Sequence, residues 1–214
     1  GIAYLESYVH PKYIAILNND IIIKDDCFEK LTDIYPKLNR AAIIAPLMVD
    51  SDGKVQIPSK LNSFSEDCIS LFICFNKLYR RRKPSIKPNT IYMEVDLIPG
   101  SFMFSDLNRF KEIGYFYPDT FLYGEEAFIA QAVKNKKMQN YIVLNHSYIH
   151  AHRSPTISKS YNTSSKYSLT IDSMLKYTRQ YRSYPSLKCM IIKVLKPFSL
   201  FEKYIYDFIK IHKL

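Results

Sequence analysis

The 214-residue sequence lacks the features that mark several common classes of protein. Its four cysteines form no CxxC pair and have no zinc-site spacing, so they indicate reduced thiols in a cytosolic protein. No apolar run reaches the roughly 20 residues that a membrane span needs. No internal repeat is visible, and no basic region followed by an apolar block resembles a signal peptide.

The composition indicates a globular protein with an anionic partner. Hydrophobic residues make up 47% and charged residues 23% of the chain, and the formal net charge is +10. Nucleic acid, an anionic membrane surface and a phosphorylated ligand all fit this charge. The short RRRK run at 80–83 has no nucleic-acid-binding motif beside it, so we predict no nucleic-acid partner.

Strand-like and helix-like segments alternate along the first 150 residues. Apolar runs typical of strands occupy residues 13–17, 21–23 and 41–49. Residues 91–105 form two strand-like pieces around Pro99-Gly100, and residues 138–153 contain a further strand. Helical spacing follows Asp25 and Asp26, one of which would cap the helix, and a second helix would end at Gly114. This alternation predicts an α/β fold, in which ligands bind beyond the carboxyl ends of strands.

Asn18, Asn19 and Asp20 interrupt an apolar stretch that runs from Tyr13 to Ile23. A carboxylate after a buried strand can bind a divalent cation, and amide side chains can bind a ribose or base. A polar strand end or turn would use the same residues.

Two adjacent carboxylates, Glu125 and Glu126, follow Gly124 at the predicted start of a helix. They could complement the helix dipole, or one of them could act as a general base. His150 and His152 share one face of a strand, with Arg153 next to them, and fit a metal, a phosphate or a plain surface pair.

The order of these motifs resembles the family-two glycosyltransferases of the GT-A fold. The resemblance rests on AILNNDIII, VDLIPGSFMFS, RFKEIGYFYPDTFLYGEEAFIAQAV and YIHAH, within residues 1–155. It is strongest to the bacterial rhamnosyltransferase-like branch that builds surface polysaccharides. It implies a partial GT-A, Rossmann-like mixed sheet flanked by helices over 1–155, and a helical, basic C-terminal extension over 156–214.

On the donor side, the resemblance implies that Asp20 holds a divalent cation, Mg2+ or Mn2+. Asn18 and Asn19 would line the nucleotide, and His150 would lie near the metal or the diphosphate. The implied donor is a nucleotide-diphosphate sugar.

On the acceptor side, the resemblance implies that Gly100 and Ser101 border the sugar and acceptor pocket. From the residues alone, Pro99-Gly100-Ser101 could equally be a structural turn. Glu126 replaces the Asp of the family's ED pair and would be the base, and Glu125 matches the first acid. The implied reaction is an inverting transfer to a hydroxyl of a glycan or lipid-linked glycan, at the cytoplasmic face of the plasma membrane.

Two departures from the family pattern limit what it implies. Phe128 and Ala132 stand where many members have a further Asp and Arg. The first residues, GIAYLES, resemble the family segment that follows its nucleotide-binding βαβ portion, so we expect that portion to be missing. An inactive fragment or a non-catalytic binding subunit is therefore the alternative prediction.

The C-terminal segment lies outside the resemblance. Phe201, Ile205, Phe208 and Ile209 fall on one face of a predicted helix, with lysines on the other faces. Such a helix suits an anionic membrane surface, and it would equally suit packing on the domain.

Overall fold

The structure, a computed structural model, describes residues 2–23, 26–58, 60–78, 89–119, 124–151 and 163–211. The chain divides into two compact units that alternate along the sequence. The first unit comprises Gly1–Lys60, Lys83–Tyr117 and Phe128–Arg153. The second comprises Leu61–Arg82, Pro118–Ala127 and Ser154–Leu214. The predicted division at residue 155 stays a prediction.

The first unit contains a mixed sheet flanked by helices, which confirms the predicted fold class. Within the described residues the sheet has seven strands, β1 (Tyr13–Leu17), β2 (Ile21–Ile22), β3 (Ala41–Asp50), β4 (Val55–Gln56), β5 (Tyr92–Val95), β6 (Phe102–Asp106) and β7 (Gln139–His150). The order is β1-β6-β3-β7-β2, with β4 beside β3 and β5 beside β7. The β3–β7 pair is parallel, and the other pairs are antiparallel.

Strands β3 and β7 form the centre of the sheet because both carry long apolar runs. β3 is buried at every residue from Ala41 to Pro46, as expected for a strand covered on both faces. Pro46 aligns with Val143, but Leu47 aligns with Ser147, so residues 144–146 of β7 have no counterpart in β3. The register therefore shifts by three residues before the two strands end.

Helices cover this sheet: α1 (Ile2–Tyr8), α2 (Cys27–Ile34), α5 (Leu107–Glu112) and α6 (Glu125–Asn135). α6 contributes Ile129 and Val133 to the core, and α5 contributes Phe110. A 3-10 turn, Tyr35–Lys37, replaces the last predicted turn of α2, because Pro36 cannot continue the α-helical hydrogen bonds. Asp26 occupies the N-cap position of α2, but its side chain makes no capping hydrogen bond. Asp25 lies outside the described residues.

Gly114 ends α5 as predicted. Its φ is +87°, and its N–H donates to the carbonyl of Lys111, while the N–H of Tyr115 donates to the carbonyl of Phe110. This is the Schellman arrangement, which requires a left-handed residue after the helix.

The second unit is built from helices: α3 (Phe64–Ser70), α4 (Ile73–Leu78), α7 (Thr163–Tyr181) and α8 (Pro185–Ile211). Its small core contains Leu71, Ile171 and Ile192. Ser63 and Glu66 form a capping box at the start of α3. The guanidinium of Arg182 donates to the Asp67 carboxylate at 2.9 Å, which joins the end of α7 to α3. No helix in the described part of the chain has the length and apolarity that crossing a bilayer requires.

We expect Gly114→Ala to lower the free energy of unfolding by about 1–2 kcal/mol, because alanine pays a steric cost in the left-handed region. Nothing lies within 4 Å of the added Cβ, so the effect is conformational. Urea unfolding measures it. Gly114→Asn is the matched control and should lose less, because asparagine tolerates this conformation. Equal losses in both variants would contradict the explanation.

Candidate functional site

Three of the predicted motifs meet at one edge of the sheet in the first unit. Leu17, the last residue of β1, aligns with Phe102, the first residue of β6. Asp50 and His150, the last residues of β3 and β7, align with each other. Since β3 and β6 are antiparallel, the ends of β1, β3 and β7 and the start of β6 lie at the same edge.

The Asn18–Asp20 loop connects β1 to β2 along this edge and is held at both ends. The N–H of Asn18 donates to the carbonyl of Ser101 at 3.0 Å. The N–H of Ala151 donates to the carbonyl of Asp20 at 2.9 Å. These bonds bring the Asn-Asn-Asp, Pro-Gly-Ser and Tyr-Ile-His segments together. The side chains of Asn18 and Asn19 remain exposed to solvent.

The Asp20 carboxylate faces the imidazole of His150. Asp20 Oδ1 lies 3.2 Å from His150 Nε2, within ion-pair distance. The same oxygen is buried and makes no hydrogen bond of good geometry within the described structure. The oxygen therefore keeps its capacity to accept a hydrogen bond or to bind a cation.

Gly100 and Ser101 form a turn at the start of β6, in which the N–H of Phe102 donates to the carbonyl of Pro99 at 3.2 Å. The Ser101 side chain points into the protein, where its Oγ lies 2.7 Å from the hydroxyl of Tyr148. Ser101 is only 5% exposed. The Ser101 hydroxyl therefore connects the turn to β7 through its contact with Tyr148.

Sequence reasoning did not identify Tyr148 as part of this edge. It lies in β7, two residues before His150 and on the same face of the strand, and it is 1% exposed. Burial raises its pKa to about 12, while the hydrogen bond with Ser101 acts in the opposite direction. The period-two spacing of Tyr148 and His150 was the one signal available in the sequence.

Asp50 also lies at this edge, but its carboxylate accepts hydrogen bonds within the β3–β4 turn. It accepts from the N–H groups of Lys54 and Asp52 and from the side-chain amide of Gln56. These hydrogen bonds, led by that of the Lys54 N–H, lower the pKa of Asp50. Among the residues that the structure describes, no group of three or more His, Cys, Asp or Glu side chains is placed to hold a metal.

Glu125 and Glu126 belong to the second unit and form the first turn of α6. Gly124, with a φ of +93°, precedes them, and its carbonyl accepts from the N–H of Ala127 at 3.0 Å. Glu125 Oε2 is buried without a hydrogen-bond partner in the described residues. Both carboxylates are placed to interact favourably with the helix dipole. His152 and Arg153 lie outside the described residues.

No protein-family model and no curated protein matches the chain. Among solved structures, a crystal structure of GalNAc-T7 with UDP, GalNAc and Mn2+ matches 82% of this chain, with a TM-score of 0.52 and 14% sequence identity. The chain has a GT-A-like fold. The match covers 32% of the GalNAc-T7 chain, so this chain spans about a third of that protein's length.

At 14% identity the likeness to GalNAc-T7 extends to the fold alone. The predicted roles of Asn18, Asn19, Asp20 and His150 stay predictions, as do those of the two glutamates. The predicted kinship with the bacterial surface-polysaccharide branch is likewise untested by this match.

We expect the Ser101–Tyr148 contact to stabilise the edge measurably. Ser101→Ala and Tyr148→Phe each leave a buried hydroxyl without its partner, so each should cost about 1–3 kcal/mol of unfolding free energy. The double variant should cost less than the two single variants together, by about 1 kcal/mol. Urea unfolding of all four proteins measures this coupling. Additive costs would mean that the two hydroxyls do not interact.

The raised pKa of Tyr148 also predicts how the free energy of unfolding depends on pH. The folded state favours the neutral phenol, so its contribution is fully present below the ordinary tyrosine pKa of 10.0 and is lost as the pH rises through about 12. The difference in unfolding free energy between the unaltered protein and Tyr148→Phe should therefore shrink over this range. Tyr184→Phe, at a side chain that is 78% exposed, should show no such trend.

Proposed function

We propose that the chain is a glycosyltransferase that moves a sugar from a nucleotide-diphosphate donor to a hydroxyl. The observation that carries this proposal is the Asn18–Asp20 loop at the sheet edge, on a GT-A-like fold. There a buried oxygen of Asp20 faces His150 and accepts no hydrogen bond from the residues that the structure describes. In α/β sheets of this kind, ligands bind beyond the carboxyl ends of the strands.

The residues at the edge fit a divalent cation. An aspartate oxygen and an imidazole nitrogen are both metal ligands, and Mg2+ in particular uses one or two protein ligands together with phosphates and waters. Asp20 and His150 would hold the cation, Mg2+ or Mn2+. When bound, it would offset the negative charge of the diphosphate leaving group. The GalNAc-T7 crystal contained Mn2+ and UDP, which supports this class of cofactor and donor.

The chain's own residues supply the remaining chemistry in the proposal. Asn18 and Asn19, whose side chains are exposed at the edge, bind the nucleotide. The carboxylate of Glu126 takes the proton of the acceptor hydroxyl, whose oxygen forms a bond to the anomeric carbon. The bond from that carbon to the diphosphate breaks on the opposite face, and the nucleotide diphosphate leaves. This single displacement inverts the anomeric configuration.

The acceptor and the cellular setting follow from the sequence resemblance. We place the chain in cell-surface polysaccharide synthesis of the bacterial rhamnosyltransferase-like branch. Its acceptor would be a glycan or a lipid-linked glycan, and its location would be peripheral, at the cytoplasmic face of the plasma membrane. Gly100 and the turn around it would border the acceptor pocket.

A non-catalytic binding subunit is the second candidate. The observation that favours it is the position of Glu125 and Glu126 in the first turn of α6, where both carboxylates complement the helix dipole without any catalytic role. Such a subunit would bind a nucleotide at the sheet edge without transferring a sugar.

Calorimetric titration with UDP, dTDP and GDP, each with and without Mn2+, tests the donor site. We expect one nucleotide to bind in the presence of the metal, and Asp20→Asn to weaken that binding at least tenfold because the neutral amide no longer attracts the cation. Asp33→Asn, an exposed position on α2, is the matched control and should bind normally. Failure of all three nucleotides to bind would overturn the proposal for this chain.

Turnover by the unaltered chain separates the two candidate functions, and Glu126→Gln tests the proposed base. For a transferase, we expect the release of nucleotide diphosphate from a sugar-nucleotide panel to fall roughly 100-fold or more, with nucleotide binding unchanged, because the amide cannot accept the proton. For a binding subunit, the unaltered chain binds the nucleotide but turns nothing over.

A further inference from the structure

Helix α8 carries an apolar stripe that faces solvent. We call this stripe the outer face and define it by six side chains, each between 41% and 66% exposed: Met190, Val194, Phe198, Phe201, Ile205 and Phe208. Their spacing of three and four residues puts them on one side of the helix. From first to last they extend about 27 Å along the axis.

The opposite side of α8 packs within the second unit. Cys189, Ile192 and Ser199 are buried on that inner side, and Ile192 belongs to the unit's core. The helix is therefore apolar on two sides, and packing within its own unit explains only one of them. A stripe of large exposed apolar side chains is typical of a surface that binds a partner.

The charged side chains of α8 are mostly lysines, and two of them are paired within the second unit. Both acidic residues of the helix are engaged within the second unit. Glu202 accepts from the N–H groups of Ile73 and Cys74 at 2.8 and 2.9 Å, and Asp207 pairs with Lys203 at 3.1 Å. Lys196 pairs with Asp172 at 2.7 Å, whereas Lys193 is exposed beside the outer face. With five lysines and two acids the helix carries a net charge of +3, in a chain with +10.

We propose that the outer face of α8 binds the surface of an anionic lipid bilayer, with the helix lying in the plane of the interface. Apolar side chains would enter the boundary between headgroups and acyl chains, and the positive charge would be attracted to the anionic headgroups. The outer face would be the surface through which the chain attaches peripherally to a membrane. The proposal does not depend on whether the chain transfers a sugar.

Two features of the outer face favour lipid over a second copy of the chain. Pro197 has no N–H, so the carbonyl of Lys193 loses its helical donor one turn earlier. A dry interface between two proteins would bury this carbonyl and the Lys193 ammonium, whereas the headgroup region offers water and phosphate to both. Two copies with +10 each also repel one another.

Co-sedimentation with vesicles tests the proposal. The unaltered chain should bind vesicles of equimolar phosphatidylglycerol and phosphatidylcholine, and should bind pure phosphatidylcholine more weakly. The double variant Phe198→Asp/Phe201→Asp should lower the partition coefficient at least roughly tenfold, because it removes two inserting rings and adds two negative charges. Both positions are more than 60% exposed, so the variant should fold, which circular dichroism verifies.

Tyr4→Asp/Tyr8→Asp is the matched control, since it also replaces two exposed aromatic rings of one helix and adds the same charge. It should bind the vesicles as the unaltered chain does. An equal loss in this control would mean that charge alone drives binding and would overturn the proposal. Absence of binding to the anionic vesicles would overturn it too, as would a dimer in solution that Phe198→Asp/Phe201→Asp dissociates.

Discussion

The parallel pairing of β3 with β7 is the constraint on which the first unit depends. These are the two longest strands of the sheet. β4 and β6 pair with β3, β2 and β5 pair with β7, and β1 pairs with β6. The pairing shifts by three residues after Pro46, which lacks the N–H that a regular ladder would use. Without the shift, Asp50 would align with Ser147. The shift instead aligns it with His150 and so ends both strands level with the Asn18–Asp20 loop.

The positions of the main elements could be predicted from the sequence because their signals are local. The apolar run of β3, the two strands on either side of Pro99-Gly100 and the end of α5 at Gly114 each depend on a few neighbouring residues. β2 and β4 contain two residues each and form only through their partners. The same holds for the Ser101–Tyr148 hydrogen bond, which joins residues far apart in sequence and depends on the sheet order.

The motif residues were identifiable for a different reason, since their order along the chain carried the resemblance. Their surroundings could not be predicted in the same way. The sequence predicted an apolar face that includes Phe201, Ile205 and Phe208, but not which side of α8 would pack. Burial of Cys189 and Ile192 decides this. The thiol of Cys189 donates to the carbonyl of Leu175 in α7, Ile192 packs in the core of the second unit, and the other face stays exposed.

The hydrogen bond between Ser101 and Tyr148 gives the chain an optical reporter of its own. The sequence contains no tryptophan, so its near-ultraviolet signal comes from tyrosine and phenylalanine. Tyr148 is buried, and its hydroxyl contacts the side chain of Ser101, whose carbonyl accepts from the N–H of Asn18. A ligand that moves the loop therefore changes the asymmetric environment of a buried phenol. Its arrival at the sheet edge can be followed by near-ultraviolet circular dichroism, without an attached label.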